Sequence, residues 1–366
     1  MDRILLSSPV EPRTVAVVAT TVVATISLLS LARLGLYVKW SSSIPSPLKT
    51  KIPELTSEEI KRLHYRPDHF PGARDVETPY GCMRVYEWGS TTGPKVILIH
   101  GISTSCMTLG LIAHALVARG CRVMLFDLFG RGFSDGVGDL PHDTRLYTTQ
   151  SQVIGDSLGG AVAAAFTAAF PDMVESLVLL APAGIIRAAN FGHLARLTFQ
   201  SGIIPDRILA SITESRLKKP LAPKRSNVVE DEDDPAEKLV DVAASSPYGG
   251  DLPVEQVVRQ YISWMVVNHR GMVPAFMSCV KHGILTDLHD TWRALGRRKK
   301  GTTAVLIGRA DEVIFAEHYA EDGLPLLGGE ENVHWRVLPG GHDFVMTKKD
   351  CIMRELDVFW GMKVQA

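Results

Sequence analysis

One serine in the chain has the local sequence of a catalytic nucleophile. Ser157 lies in the motif GDSLGG at 155–160, after the apolar pair at 153–154 and before an alanine-rich helical pattern. A G-x-S-x-G motif between a strand and a helix is typical of a nucleophile elbow, where small residues permit a strained turn that exposes the hydroxyl. The pattern therefore predicts Ser157 as a nucleophile.

A second G-x-S-x-G match is centred on Ser134 and lacks this context. Val137, Gly138 and Pro141 follow it, and no helical pattern begins there. Because glycine and proline mark loops, we expect Ser134 to be a loop residue without a catalytic role.

A serine hydroxyl needs a base that removes its proton and a carboxylate that orients the base. Asp311 follows the apolar run at 303–308, and His342 follows Gly340-Gly341 after a further run at 335–338. The chain order serine, acid, histidine at the ends of successive strands predicts Asp311 as the acid and His342 as the base. Three carboxylates remain as rival acids: Glu312, Asp343 and Asp127.

Acyl transfer also requires backbone N–H donors for the oxyanion. The residue after the nucleophile, Leu158, is expected to supply one donor. Ile102 is expected to supply the other, since Gly101 lets the backbone turn closely after the run at 95–100. We interpret His100 in that turn as structural.

Short apolar runs alternate with longer helical patterns, which is typical of a parallel sheet with crossover helices. The predicted strands are Met83–Trp88, Lys95–His100, Arg122–Asp127, Val153–Gly155, Val174–Leu180, Thr303–Gly308 and Val333–Leu338. The predicted helices are Met107–Arg119, Leu158–Phe170, Phe315–Ala320 and Thr347–Met362. The strand signal stops between 185 and 300, which predicts a helical lid whose acidic run at 230–234 is a solvated loop.

These motifs, in this order, resemble the α/β-hydrolase superfamily, and specifically its esterase- or lipase-like serine hydrolases with a helical lid. The resemblance covers residues 76–361 and includes His100-Gly101, the GRGFSD segment at 130–135 and the GRADEVI segment at 308–314. It implies an α/β fold with a mostly parallel central sheet and hydrolysis of an ester, thioester or amide through an acyl-serine intermediate. It implies no metal and no organic cofactor.

The N-terminus carries eighteen consecutive uncharged residues, Val15 to Ala32. About twenty apolar residues cross a bilayer as a helix, so this run predicts a transmembrane helix over about 15–38. A cleaved signal peptide and a buried core helix are the alternatives.

The flanking charges predict an orientation for such an anchor. Arg3 and Arg13 precede the run, and Lys39, Lys49 and Lys51 follow it. This slight excess predicts a single-pass membrane protein with a cytosolic body, the endoplasmic reticulum being a candidate membrane. Five cysteines without clustered spacing also disfavour a disulfide-stapled extracellular body.

The crossover that leads to the nucleophile strand is short. Only residues 136–152 separate the segment 130–135 from Val153, and Gly136, Gly138 and Pro141 take up its first part. A parallel crossover needs at least about ten to twelve residues including its helix. We therefore expect either a chain that lacks a segment, which is the interpretation we favour, or a crossover rebuilt in a shorter form.

Together these patterns predict five regions: an N-terminal region with anchor at 1–40, a linker and lead-in at 41–75, hydrolase core at 76–184, lid at 185–300 and further core at 301–366. With 39 basic and 40 acidic residues, the chain has no electrostatic preference for nucleic acid. The predicted function is a membrane-anchored serine hydrolase that cleaves a lipophilic carboxylic ester. The alternative is a catalytically impaired, membrane-tethered binding or scaffold protein with a hydrolase-like body.

Overall fold

The structure of the protein is a computed structural model. It describes residues 12–35, 42–143, 153–191, 204–218, 252–282 and 284–362. The predicted acidic loop at 230–234 and the crossover residues 144–152 lie outside these ranges.

An eight-stranded sheet forms the centre of the molecule, and a two-stranded ribbon lies beside it. The strands are β1 (Ser43–Ile44), β2 (Arg74–Thr78), β3 (Gly81–Gly89), β4 (Lys95–Ile99), β5 (Arg122–Phe126), β6 (Gly136–Val137), β7 (Val153–Asp156), β8 (Leu177–Leu180), β9 (Thr303–Gly308) and β10 (His334–Leu338). The order in the large sheet is β10-β9-β8-β7-β4-β5-β3-β2. The pairs β2–β3 and β3–β5 are antiparallel and all other pairs in this sheet are parallel.

The predicted, mostly parallel α/β sheet is present because its central strands are apolar on both faces. Every residue of β8 and β9 is buried, as parallel strands covered on both sides require. The sequence patterns predicted these strands to within a few residues. They missed β2, an edge strand whose alternate residues are exposed.

The structure describes twelve α-helices. They are α1 (Pro12–Gly35), α2 (Pro47–Thr50), α3 (Ser57–Lys61), α4 (Gly110–Ala118), α5 (Leu158–Ala169), α6 (Asp206–Leu217), α7 (Val254–Asn268), α8 (Met272–Lys281), α9 (His289–Leu295), α10 (Ala316–Leu326), α11 (Phe344–Thr347) and α12 (Lys349–Trp360). The chain leaves β4 toward one side of the sheet and β7 toward the other. Since both crossovers are right-handed, α4 and α5 lie on opposite faces.

This reversal of direction places a crevice at the carboxyl ends of β4 and β7. The two strands are neighbours, with Ile99 beside Gly155. In open α/β sheets the crevice at such a switch point is where ligands bind. The segment that ends at His100 and the segment that begins at Ser157 both lie at this crevice.

The prediction of an N-terminal transmembrane helix is wrong. Residues Pro12–Gly35 do form a helix of 24 residues, but in the part of the chain that the structure describes no helix combines the length and apolar character needed to cross a bilayer. The sequence argument counted uncharged residues, whereas the helix also contains hydroxyl side chains such as Thr20, Thr21 and Thr25, which bond to carbonyls four residues back. The predicted single-pass membrane localisation, which rested on this helix, is corrected with it.

The stretch predicted as a linker and lead-in contains ordered contacts with the body. Strand β1 pairs with β6, and the buried carboxylate of Asp135 accepts hydrogen bonds from the Ser46 N–H at 2.9 Å, the Lys49 Nζ at 2.7 Å and the Cys82 N–H at 2.9 Å. We call residues 43–50 the N-terminal strap. One side chain thus ties the strap to the edge of the sheet.

A groove of about 330 Å³ lies on the sheet at β4 and β5. Ile97 and Met124 are register partners on adjacent strands, and both are partly exposed in the groove. Its rim carries Lys95 and Arg122. A right-handed crossover from β5 to β7 would lie on this face.

Candidate active site

The backbone at Ser157 has the strained geometry expected of a nucleophile elbow. Its φ of 52° lies in the left-handed region, where an L side chain is disfavoured. A Cβ on Gly155 would lie 2.2 Å from the Gly159 carbonyl oxygen, and one on Gly159 would lie 2.0 Å from that of Ile99. Glycine is therefore required on both sides of the serine, because β7, α5 and β4 meet there.

Ser157, His342 and Asp311 lie in one hydrogen-bonded row. The Ser157 Oγ is 3.1 Å from the His342 Nε2, and the His342 Nδ1 is 2.9 Å from the Asp311 Oδ2. These distances lie within the range in which a base accepts the proton of a nucleophile. The structure thus brings together the three residues that the chain order singled out.

The loop after β9 fixes Asp311. Its Oδ1 accepts the N–H groups of Val313 at 2.8 Å and Ile314 at 2.7 Å, and the residue is 1% exposed. Since Oδ1 is held by the backbone, Oδ2 remains for His342. The carboxylate is therefore locked in one orientation.

The loop after β10 carries His342 toward the end of β9. Gly340 has a φ of 108°, and its carbonyl accepts the Ala310 N–H at 3.0 Å. Glu312 Oε2 accepts the backbone N–H of His342 at 3.3 Å. The loops that hold the acid and the base are thus joined to each other.

His342 is surrounded by carboxylates that favour its charged form. Burial on its own lowers the pKa of the imidazole, but the charge and hydrogen bond of Asp311, followed by the charges of Asp156 and Glu312, raise this pKa to about 9. An opposite charge within a few ångströms stabilises an imidazolium in this way. The three carboxylates therefore stabilise the imidazolium form of His342.

The two predicted oxyanion donors lie at the loops on either side of Ser157. Leu158 is the first residue of α5, so its N–H has no acceptor within the helix. Ile102 follows β4, and its carbonyl accepts the Arg131 Nε at 2.9 Å. This contact fixes one side of the loop that bears the Ile102 N–H.

The rival residues have structural partners. The Ser134 hydroxyl is buried and donates to the Asp127 carbonyl at 2.6 Å. His100 accepts the Leu128 N–H at Nε2 and contacts the Gly101 carbonyl through Nδ1. Asp127 accepts two backbone N–H groups and the Tyr65 hydroxyl deep in the core. Asp343 precedes a short helix as its N-cap residue.

Sequence reasoning missed the contact of Glu312 with the backbone of His342 and the burial of Asp156 beside the nucleophile. The segment 308–314 offered both Asp311 and Glu312, but nothing in it predicted that each would bind a different part of His342. The position of Asp156 depends on packing against the loop at Gly101.

Among the described residues, no group of three or more His, Cys, Asp and Glu side chains is arranged to hold a metal ion. The five cysteines are buried and reduced.

Comparisons with known proteins give the class. Residues 92–238 match the family model of the S33 serine aminopeptidases. A stretch of 124 residues, 30% of this chain, is 32% identical to a serine hydrolase-like protein of Danio rerio. A stretch of 97 residues, 24% of this chain, is 37% identical to a pimeloyl-[acyl-carrier protein] methyl ester esterase of Chromobacterium violaceum. These stretches span 38% and 37% of the respective relatives, so the chain covers well under half of either.

The fold is also similar to that of a solved structure. A lipase-like protein of Acinetobacter baumannii superimposes with a TM-score of 0.56 at 19% identity, over 79% of this chain and 90% of that one. The chain thus has the α/β-hydrolase fold, and parts of its sequence are similar to serine hydrolases, as its motifs predicted.

Proposed function

We propose that the protein hydrolyses a carboxylic ester through an acyl-serine intermediate, with Ser157 as nucleophile, His342 as general base and then general acid, and Asp311 as its orienting acid. The observation that carries this proposal is the unbroken row from the Ser157 Oγ through His342 to the Asp311 Oδ2, at 3.1 and 2.9 Å. A strained elbow at the base of a crevice supports the same assignment.

The geometry accounts for each step of acylation. The Ser157 Oγ attacks the carbonyl carbon while its proton passes to the His342 Nε2. The negative charge then develops on the carbonyl oxygen, where the N–H groups of Leu158 and Ile102 donate hydrogen bonds. When the tetrahedral intermediate collapses, the imidazolium gives the proton to the departing alkoxide, which leaves as an alcohol.

Deacylation repeats these steps with water. Neutral His342 removes a proton from a water molecule, and the resulting hydroxide attacks the acyl carbon. The second oxyanion is held by the same two N–H groups. Its collapse releases the carboxylic acid and returns the proton from His342 to the Ser157 oxygen, so that the enzyme is regenerated.

The ester class is favoured by the relatives, one of which is named as a methyl ester esterase. One observation supports a substrate with a lipophilic acyl group. It is the apolar character of the helices inserted between β8 and β9. Val257, Tyr261 and Met265 of α7 and Met272 of α8 are buried, and the Tyr261 ring packs edge-on against Tyr65 at 5.7 Å.

A fluorophosphonate probe tests the nucleophile directly. We expect the wild type to be labelled at one site and the Ser157→Ala variant to lose labelling, because only an activated serine reacts with such a probe. Ser134→Ala serves as the matched control and should be labelled like the wild type, since its hydroxyl is buried in a structural bond. Labelling that persists in Ser157→Ala would refute the assignment.

A further inference from the structure

Arg131 is a buried arginine whose guanidinium holds the main chain of two loops. It belongs to the segment at 130–135, none of its surface is exposed, and it is not among the residues that carry the proposed acyl transfer. Its Nε donates to the Ile102 carbonyl at 2.9 Å, its Nη1 to the Phe129 carbonyl at 3.0 Å and its Nη2 to the Cys279 Sγ at 3.6 Å. A buried charge is costly unless its hydrogen bonds are made, so these contacts fix the side chain in one position.

The peptide between Gly101 and Ile102 is held by His100. The His100 Nε2 accepts the Leu128 N–H at 2.9 Å, so the neutral ring carries its proton on Nδ1 and donates it to the Gly101 carbonyl at 2.8 Å. Because a trans peptide is planar, the Ile102 N–H points opposite to the Gly101 carbonyl and therefore away from His100. A Cβ on Gly101 would lie 3.4 Å from the Ser157 Cβ, so this peptide lies against the nucleophile.

The carbonyls on both sides of the Ile102 N–H are thus bound, whereas the N–H itself is open. Among the residues that the structure describes, none accepts a hydrogen bond from the Ile102 N–H. His100 binds the carbonyl before it, and Arg131 binds the carbonyl after it. Two such restraints hold a backbone unit more tightly than one, so Arg131 limits how far the Ile102 N–H can move.

We propose that Arg131 is a positioning residue of the oxyanion site, whose guanidinium keeps the Ile102 N–H aligned with the carbonyl oxygen that becomes negatively charged. This inference rests on the proposed function, because it requires the Ile102 N–H to be an oxyanion donor. A donor stabilises an oxyanion best at about 2.7–3.1 Å from the developing charge, so a small displacement of the loop weakens the interaction. The planar fork of arginine suits this task, since its N–H groups point in fixed directions toward separate acceptors.

The contact with Cys279 allows this role to be separated from a second one. Cys279 lies on α8, one of the helices inserted between β8 and β9, so Arg131 also joins the oxyanion loop to that helix. A thiol is a weak hydrogen-bond acceptor, and we expect this contact to contribute little to the oxyanion site. Cys279→Ala removes it and leaves the Ile102 and Phe129 carbonyls with their donors, which makes this variant the matched control.

An alkyl trifluoromethyl ketone measures the oxyanion site directly. The Ser157 Oγ forms a bond to its carbonyl carbon and passes a proton to the His342 Nε2, and the carbonyl oxygen becomes a negatively charged hemiketal oxygen, as in a transition-state analogue. For Arg131→Met we expect the inhibition constant of this ketone to rise about a hundredfold, as expected for the loss of one oxyanion donor.

Steady-state kinetics with p-nitrophenyl butyrate give a second measurement on the same variant. The kcat should fall by a factor similar to the rise of the inhibition constant, with little change in KM, because the weakened interaction forms only in the transition state. The rates are expressed per active site, counted by titration to completion with a fluorophosphonate.

A merely structural role of Arg131 predicts a different result. Arg131→Met would then have fewer active sites in the titration, but each site would retain the wild-type inhibition constant and kcat, and this outcome would overturn the inference. Cys279→Ala should match the wild type. If it loses as much as Arg131→Met, Arg131 acts through α8 and the inference is wrong.

Arg131→Lys tests the fork separately from the charge. Lysine keeps the positive charge but lacks the planar set of donors, so this variant should recover only part of the lost rate. If Arg131→Met does not fold, Arg131→Lys decides, since a wild-type inhibition constant in that variant contradicts the proposal. A wild type that neither reacts with the fluorophosphonate nor binds the ketone would instead overturn the proposed function, and this inference with it.

Discussion

The side chain of Asp311 makes three hydrogen bonds, and one of them is with His342, the proposed base. Its Oδ1 accepts two backbone N–H groups and its Oδ2 faces His342. An asparagine can keep an oxygen toward Val313 and Ile314, so the loop should survive the change. Its amide would then face His342 Nδ1 with a donor and select the wrong tautomer of the imidazole.

For Asp311→Asn we therefore expect kcat for an ester substrate to fall about 10⁴-fold, as loss of the acid does in a triad of this kind, with little change in Tm. Steady-state kinetics and thermal unfolding measure the two effects. Glu312→Gln is the control, because it retains an oxygen for the His342 N–H and should lose far less. A variant Asp311→Asn with nearly wild-type kcat would exclude Asp311 as the acid.

At the scale of single residues, the sequence predicted the positions of the site residues that follow a strand. Ser157, Asp311 and His342 each follow an apolar run, so the order of strands was enough to predict that they would meet. Asp156 and Glu312 could not be placed in the same way. Their contacts depend on how the loops after β4, β9 and β10 fold over one another, which no periodicity records.

At the scale of elements, the crossover before β7 is shorter in sequence than the predicted fold leads us to expect. The partly exposed Ile97 and Met124 lie on the face that such a crossover should cover. Burying apolar area contributes roughly 25 cal/mol per Å². Covering the two side chains would thus stabilise the sheet beside the nucleophile strand.

We expect that inserting an amphipathic helix of about fifteen residues between Gln150 and Ser151 will raise both the soluble yield and the turnover. Expression yield, Tm and the rate of ester hydrolysis measure the result. An insertion of equal length built from glycine and serine is the control, since it lengthens the connection without an apolar face. If the helix brings no gain over this control, the idea of a missing segment is wrong.

The strand predictions were good where apolar residues dominate and failed where they do not. Strands β4, β5, β8 and β9 are mostly apolar, whereas β2 reads Arg-Asp-Val-Glu-Thr and pairs along one edge only. An exposed edge strand carries too few apolar residues to stand out from a loop. The N-terminal strap was interpreted as a linker for a similar reason, because its pairing partner lies far along the chain.

For the whole molecule, the membrane prediction depended on one uncharged run of residues and was wrong. A count of charges cannot substitute for the apolar character of a complete helix. The body was predicted better because many strands and helices must agree to form one sheet.

Stability should depend on pH through buried neutral histidines. Burial lowers the pKa of His100 to about 3 and that of His269 to about 4, and each accepts a backbone N–H at one ring nitrogen. The unfolded chain binds protons at these sites below about pH 6.5, whereas the folded protein does not. Their stabilising effect is therefore present above pH 6.5 and is lost as the pH falls.

We expect the free energy of unfolding to decrease by about 3 kcal/mol per pH unit between about pH 6 and 4.5 from these two residues together. Urea unfolding at several pH values gives the slope. In His269→Gln, which cannot take up the proton, the slope should fall by about 1.4 kcal/mol per pH unit. A free energy of unfolding that stays constant over this range would contradict the prediction.

The Asp135 carboxylate sets a limit on how the protein can be shortened. Removing residues up to 50 would take away β1, the Ser46 N–H and the Lys49 ammonium together, leaving a charged group in the interior with the Cys82 N–H as its remaining donor among these three. Breaking a buried ion pair on one side is strongly destabilising. A fragment designed for expression or crystallisation should therefore begin before Ser43, even though the residues it retains lie far from the catalytic crevice in sequence.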